Sequence, residues 1–211
     1  MNVLVVSLVV GGKVPVATRH TLTCAEKIAP EVDVLLIGEV PEDAATQVAS
    51  FSGVRSVFVC QMASVGAEGG ACQVKAQSEG YSHILFDAGT LGKAVMPRVA
   101  ALLGVPALSE ICDVVSPDTF KRYIYAGSLL ATVKIAATPV IASVRTTAFD
   151  PVLEKESPSS VQNVEPVPSP RAFTLVSTQK KREDTVDLES ARIVVAAGRG
   201  VIDEEGFKAA E

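Results

Sequence analysis

The chain alternates short, nearly continuous apolar runs with stretches of helical period. Residues 3–10 form the first run, rich in valine, and read as a buried strand. Over residues 18–29, Leu22, Ala25, Ile28 and Ala29 fall on one face of a helix. A second strand over 32–37 is closed by Gly38. Pro41 and Glu42 open a second helix that runs through Ser50 and stops at Gly53. Residues 55–60 give a third strand, 67–79 a weak helix, 83–86 a fourth strand and 92–103 another helix. Pro97 in that helix is tolerable only near the first turn or at a kink. Strands and helices alternating at this spacing predict βαβ units and a parallel sheet. Apolar runs that do not alternate predict a sheet covered on both faces.

Past Gly104 the connections shorten. Residues 107–115, 119–126, 129–137 and 140–145 read as strands, and short links between strands favour antiparallel hairpins. The expected fold is therefore α/β: a Rossmann-like, mixed but largely parallel sheet with helices on both faces, followed by a truncated second α/β domain. Residues 150–170 carry five of the twelve prolines, with serines and glutamates between them, and read as a surface linker or extended arm. One more strand is expected over 171–180, then a charged stretch to Glu189. Residues 191–197 read as a buried strand, followed by Gly198-Arg199-Gly200 and a helix over 203–210. One strand and one helix cannot bury their apolar faces alone. The expected organisation is a first domain over 1–187, and over 188–211 the incomplete first βα unit of a second. On this reading the native protein continues past Glu211 and the chain is a fragment.

Composition narrows the function classes. With 48% hydrophobic and 20% charged residues, the 211-residue chain is not of the disordered class. A net charge of −5 argues against a dedicated nucleic-acid binder. No apolar run approaches the roughly 20 residues of a membrane span. Neither a basic leader with a cleavage site nor an Arg-rich transit peptide is visible, so no membrane insertion is expected. Cys24, Cys60, Cys72 and Cys112 form no C-x-x-C pair, and only His20 and His83 could join them. That spacing is wrong for zinc, so no metal is expected; free thiols acting as small hydrophobes are.

A few turns and side chains are candidates for chemistry. Glycines in Gly198-Arg199-Gly200 let a backbone approach a ligand, and the arginine offers a planar fork for phosphate or a flavin edge. Asp203 stands where the last glycine of G-x-G-x-x-G would be, and a plain tight turn explains the motif as well. Thr90-x-Gly92-Lys93 resembles half of a phosphate loop, but Ala94 replaces the hydroxyl residue. A helix start with a surface lysine is the better account. Gly11-Gly12-Lys13 forms a similar βα turn. Arg145, before Thr146-Thr147, fits either an interface ion pair or a solvated strand end. His83 lies inside an apolar strand with no catalytic signature around it and reads as a core histidine, whereas His20 reads as exposed. The mixed charges of 180–184 read as a solvated loop. From these residues alone, a stand-alone nucleotide-binding module and a redox-inactive scaffold both stay open.

A set of short stretches, in fixed order across nearly the whole chain, adds to this. They are Gly12-Lys13 with Ala17-Thr18; Tyr81-Ser82-His83-Ile84-Leu85; and Thr90, Gly92-Lys93 with Pro97-Arg98-Val99-Ala100-Ala101-Leu102-Leu103. Next come Tyr125-Ala126-Gly127, Ala131-Thr132-Val133 and Val144-Arg145-Thr146-Thr147-Ala148-Phe149. The last is Ser190-Ala191-Arg192-Ile193-Val194-Val195 running into Gly198-Arg199-Gly200. Together they resemble the alpha subunit of electron transfer flavoprotein. The chain departs from the family at Asp87-Ala88-Gly89-Thr90, where a Pro-Ala-Thr-Thr-like turn is usual. It departs again at Ser128, where Asn follows Tyr-Ala-Gly, and at Ala196-Ala197, where Ser-Gly precedes Gly-Arg-Gly.

The resemblance implies a heterodimer with a beta subunit and one FAD, held mainly by a second alpha-subunit domain. Arg199 matches a flavin-contacting arginine of that family, flanked by Gly198 and Gly200. AMP, where present, is implied for the beta subunit. The implied role is electron carriage, without a substrate or catalytic residue of its own, in fatty acid beta-oxidation. Electrons would pass from flavin dehydrogenases, such as acyl-CoA dehydrogenases, to a membrane quinone reductase or similar acceptor. The implied compartment is the bacterial cytoplasm or the mitochondrial matrix.

Overall fold

Val3–Val9 and Val32–Gly38 lie side by side as parallel strands β1 and β2, and every residue in both is buried. Uninterrupted burial of this kind requires cover on both faces of the sheet. The computed structural model describes residues 1–169, 176–177, 188, 191, 193–201 and 204–208. It divides into two units, Met1–Leu175 and Val176–Glu211.

In the first unit, α1 (Ala17–Glu26) links β1 to β2, and α2 (Glu42–Ala49) links β2 to β3 (Val54–Gln61). Then come α3 (Ala67–Ala76), β4 (His83–Asp87) and α4 (Thr90–Leu103). Strands β5 (Ala107–Ser116), β6 (Thr119–Ile124), β7 (Leu129–Lys134), β8 (Val140–Val144) and β9 (Ser160–Asn163) complete one sheet. Its order is β7-β6-β5-β8-β4-β1-β2-β3-β9. Only the β5–β6 and β6–β7 pairings are antiparallel. The expected mixed, largely parallel sheet is observed.

Alternation along each strand sorts the core into two layers. Val3, Val5, Val34, Leu36 and Leu85 face one side, against Leu22 and Ala25 of α1 and Val48 of α2. Leu4, Val6, Leu35, Ile84 and Phe86 face the other, against Val74 of α3 and Val95 and Val99 of α4. Pro97 sits in the interior of α4 rather than its first turn, because the helix starts earlier than expected, at Thr90. The proline is exposed, so water can reach the carbonyl its missing N–H leaves unpaired.

The link from β7 to β8 is short but does not form a hairpin, contrary to its length. Strand β8 inserts between β5 and β4, parallel to both. The reason is that β5 bends. Its first half pairs with β8, its second half with β6, and a bulge separates them. Phe120 of β6, paired with that second half, enters the α1-side core. The His83 ring meets Phe120 edge-on at 6.5 Å, and its Nε2 bonds the Pro117 carbonyl at 2.7 Å. Ile135 N–H donates to the Asp118 carbonyl, so β7 ends close to where β8 begins.

Residues 150–169, expected as a linker or arm, are bound along the domain. Arg19 Nη2 donates to the Val152 carbonyl at 2.6 Å. Ser52 N–H donates to Leu153 O, and Lys155 N–H to Ser50 O. Residues 160–163 then become the edge strand β9, parallel to β3. The fully buried Gln73 ends the seam: its Nε2 donates to Glu165 O at 3.3 Å, and its Oε1 accepts from Val167 N–H at 2.8 Å.

In the second unit the described residues include a short helix, α5 (Glu204–Lys208). Residues 191 and 193–197, expected as a buried strand, take neither strand nor helix, and Ile193, Val194 and Val195 are exposed. A strand without a ladder partner has nothing to hold it extended. The strand expected over 171–180 and the loop over 180–184 fall outside the described residues, apart from Val176 and Ser177.

Candidate functional site

Strand order reverses between β1 and β4: β2 and β3 lie to one side, β8 and β5 to the other. Open α/β sheets bind ligands outside the carboxyl ends of the strands at such a reversal. Two turns flank it. After β1, Gly11 and Gly12 both have positive φ, 58° and 72°, which a side chain would disfavour. After β4, Asp87-Ala88-Gly89 leads into α4.

The turn after β4 is occupied by the chain's own groups. Asp87 Oδ1 accepts the Gly89 N–H at 2.7 Å, at the start of α4 where a phosphate would otherwise be received. Gly92 is needed for packing: a Cβ there would be driven into the Asp87 carbonyl oxygen. Lys93 does not reach for a ligand. Its Nζ pairs with Glu110 Oε1 at 2.6 Å.

Glu110 sits in the β5 bulge with φ of 55°, in the left-handed region that non-glycine residues rarely adopt. The buried Ser143 Oγ accepts its N–H at 2.9 Å. The Lys93 hydrogen bond holds the Glu110 carboxyl below its ordinary value; burial opposes it, and the Lys93, Arg145 and Arg122 charges add to the lowering. Arg145 stands over the Tyr123 ring at 5.2 Å. The Nε of Arg122 is buried and has no hydrogen-bond partner among the described residues. The sequence did not disclose this: nothing in Ser109-Glu110-Ile111 marks a left-handed residue, and Lys93 lies 17 positions from its partner.

The histidines are structural. His83 is buried, with Nδ1 on Ser82 Oγ at 2.9 Å and Nε2 on Pro117 O. Burial pushes its pKa below 6.5. His20 is half-buried rather than exposed, because the chain leading into the arm passes it: its Nδ1 bonds the Phe149 carbonyl at 2.6 Å. Burial raises the Cys24 thiol to about 12 and the Cys60 thiol in the same direction, so neither is a ready nucleophile. All four cysteines are free, and among the described residues no three His, Cys, Asp or Glu side chains gather as metal ligands. No described helix is long and apolar enough to cross a membrane.

At the opposite, amino ends of the strands, the buried Asp33 accepts two hydrogen bonds from Arg55, at 3.0 and 2.6 Å, and one from Tyr81 Oη at 2.7 Å. An acidic residue inside an apolar run was the available clue to this site.

Gly198-Arg199-Gly200 forms a turn closed by Val201 N–H on Gly198 O at 3.0 Å. All three residues are exposed, and a Cβ on either glycine would meet open space. The turn therefore has room for a ligand and an uncovered guanidinium to meet one.

A family model described as the electron transfer flavoprotein domain matches residues 3–170. The electron transfer flavoprotein subunit alpha of Pseudomonas aeruginosa is 36% identical over 99% of this chain and 68% of its own length. That of Paracoccus denitrificans is 34% identical over 98% of this chain and 68% of its own. The mitochondrial subunit alpha of Dictyostelium discoideum is 35% identical over 92% of this chain and 60% of its own.

Proposed function

The chain belongs to the electron transfer flavoprotein family, on the alpha-subunit side, and from that premise we propose that it works with a beta subunit and FAD as an electron carrier. Its donors would be flavin dehydrogenases, such as acyl-CoA dehydrogenases, and its acceptor a quinone reductase or similar protein. The compartment would be a bacterial cytoplasm or a mitochondrial matrix, since the relatives include both bacterial and mitochondrial subunits. The observation that carries the reading is likeness over essentially the entire chain, including residues 188–211.

Two features support a division of labour. The turn after β4 is filled by Asp87 and by the Lys93–Glu110 pair, which disfavours a stand-alone nucleotide site. Meanwhile the β6–β7 ribbon exposes Tyr123, Tyr125, Leu129 and Leu130, and β7 is one of the two edge strands of the sheet formed by the described residues. Such an edge attracts a partner chain. On this reading residues 1–187 are the domain that pairs with the beta subunit, and 188–211 begin the FAD-binding part.

The Gly198-Arg199-Gly200 turn fits a flavin nucleotide. Its glycines leave space for close approach, and Arg199 brings a permanent charge with a planar donor fork. FAD supplies the redox chemistry when bound; the protein positions it and tunes its potential. Arg199 would bind and orient it.

The matched relatives are longer than this chain, which spans 68% of the first two, so the test is co-production of the extended chain, carrying the rest of the FAD-binding part, with the beta subunit, and flavin absorbance of the purified complex. A yellow complex that bleaches on reduction supports the reading, with Arg199→Ala expected to weaken FAD retention. A colourless complex after refolding with FAD overturns it and favours a redox-inactive scaffold. Tight calorimetric binding of AMP by the chain alone would favour the nucleotide-module reading instead.

A further inference from the structure

The arm is held in two different ways along its length. Its first part is anchored by side chains. Phe149, leading into it, and Val152 are buried, and Arg19 donates to the Val152 carbonyl through both Nε and Nη2, at 3.1 and 2.6 Å. Lys155 Nζ donates to Val54 O at 2.7 Å and to Ser159 Oγ at 2.6 Å. The second part, residues 160–167, buries no side chain: Val164 and Val167 are half-buried and the rest are exposed. Backbone pairing of β9 with β3 holds it, with Val164 N–H on Val59 O at 2.9 Å. Between the two parts lie Glu156, Ser157 and Pro158, all exposed.

This difference sets which part lets go first. A backbone hydrogen bond contributes little net, since water replaces it, whereas every ordered residue costs conformational entropy. A segment that buries no side chain has little else to offset that cost, so it opens at a lower free energy than the core. Pro166 and Pro168 offer no N–H to extend the ladder. Gln73 supplies what the pairing lacks. It is fully buried on α3, and its amide bonds the backbone of Glu165 and Val167 at both ends, so its polar atoms are satisfied by this segment.

We propose that residues 160–167 are a releasable strap, latched by Gln73, whose opening lengthens the tether between the first unit and the second. The proposal rests on the flavoprotein reading above. Eight residues freed as extended chain add up to about 26–29 Å of reach. A carrier with one flavin serves a protein donor and a protein acceptor in turn. The length of the tether then governs how readily the flavin-bearing part meets either of them.

Two measurements test this on the extended chain with its beta subunit and FAD. The first is amide hydrogen exchange. Val164 and Val167 are expected to exchange together and well before β1, while the Lys155 N–H on Ser50 O stays protected longer. In Gln73→Leu both should quicken in step, by roughly thirtyfold. Exchange of Val164 only along with β1, or quickening confined to Val167, overturns the strap.

The second measurement locks it. Ser56 and Ser160 are partners across the β3–β9 pair, with Oγ atoms 3.3 Å apart, so Ser56→Cys with Ser160→Cys places two thiols for a disulfide. Stopped flow then compares flavin reduction by an acyl-CoA dehydrogenase with reduction by dithionite, which needs no docking. The oxidised lock is expected to slow the first several-fold and to leave the second unchanged, and the dithiol form should regain the full rate. Should the disulfide not form, Gln73→Leu carries the test in the opposite sense, with faster reduction by the dehydrogenase. Equal dehydrogenase rates in locked and open forms overturn the inference and leave the flavoprotein reading standing. Slowing of both reductants alike overturns it too, by tracing the effect to the flavin site. A complex that holds no flavin overturns the reading itself, and this inference with it.

Discussion

Substituting Arg55 by methionine tests the buried carboxylate at the amino ends of the strands. Asp33 is only 4% exposed, and Arg55 supplies two of its three hydrogen bonds. Removing one partner of a buried ion pair leaves an uncompensated charge, at a cost of roughly 3–5 kcal/mol. The Arg55 side chain is 43% exposed, so water can replace part of what it gives. Tyr81 also stays in place. The loss should therefore fall near the lower bound, about 3 kcal/mol. For a domain of this size that is a fall in Tm of roughly 6–12 °C. Far-UV circular dichroism is the readout of choice, because the chain has no tryptophan. One further result belongs to the same reasoning. Adding Asp33→Asn to Arg55→Met should recover stability, since an amide needs no counter-charge. A loss below about 1 kcal/mol, or a double variant no more stable than Arg55→Met alone, would refute the argument.

Gly92→Ala should destabilise by about 1–3 kcal/mol by overpacking, because the added methyl is driven into the Asp87 carbonyl at the first turn of α4; urea unfolding measures it, and a neutral result would mean that the turn yields. His83 sets a pH dependence. Burial lowers its pKa below the ordinary 6.5, so below that pH the unfolded chain takes up a proton that the folded chain resists. Stability is then lost as pH drops from about 6.5 towards the folded-state value, and His83→Gln should remove that part of the slope in a pH series of melts. Gln73→Leu should free the end of the arm by removing two hydrogen bonds worth about 2 kcal/mol together. Amide exchange at Val167 should then quicken by a factor of roughly 30, and unchanged exchange would show that the β9 pairing alone holds the arm.

The parallel half of the sheet was legible because two-sided burial leaves a local mark. Every position of β1 and β2 is buried, and an unbroken apolar run is what that looks like in sequence. The bend of β5 left no such mark. It depends on Phe120 entering the α1-side core and on His83 holding Pro117, contacts between residues more than thirty positions apart. The arm was hidden for a different reason. Prolines and serines read as linker, while most of its attachment is backbone hydrogen bonding to residues 49–59, which any composition can make. Only Gln73, fully buried on a helix facing the arm, could have hinted at it.

The site at the strand reversal shows why motif and geometry parted. Thr90-x-Gly92-Lys93 resembled half of a phosphate loop because a glycine and a lysine at a helix start satisfy both a ligand site and a packed turn. The outcome was decided by two carboxylates that the motif does not contain. Asp87 accepts the N–H of Gly89 at the helix start, and Glu110 reaches Lys93 from a bulge on a different strand. A crevice that neutralises itself in this way has little reason to recruit a small anion. On the proposed reading, a sheet end that binds ligands in other open α/β folds is closed by the chain's own carboxylates, and the flavin is left to the Gly198-Arg199-Gly200 side of the chain.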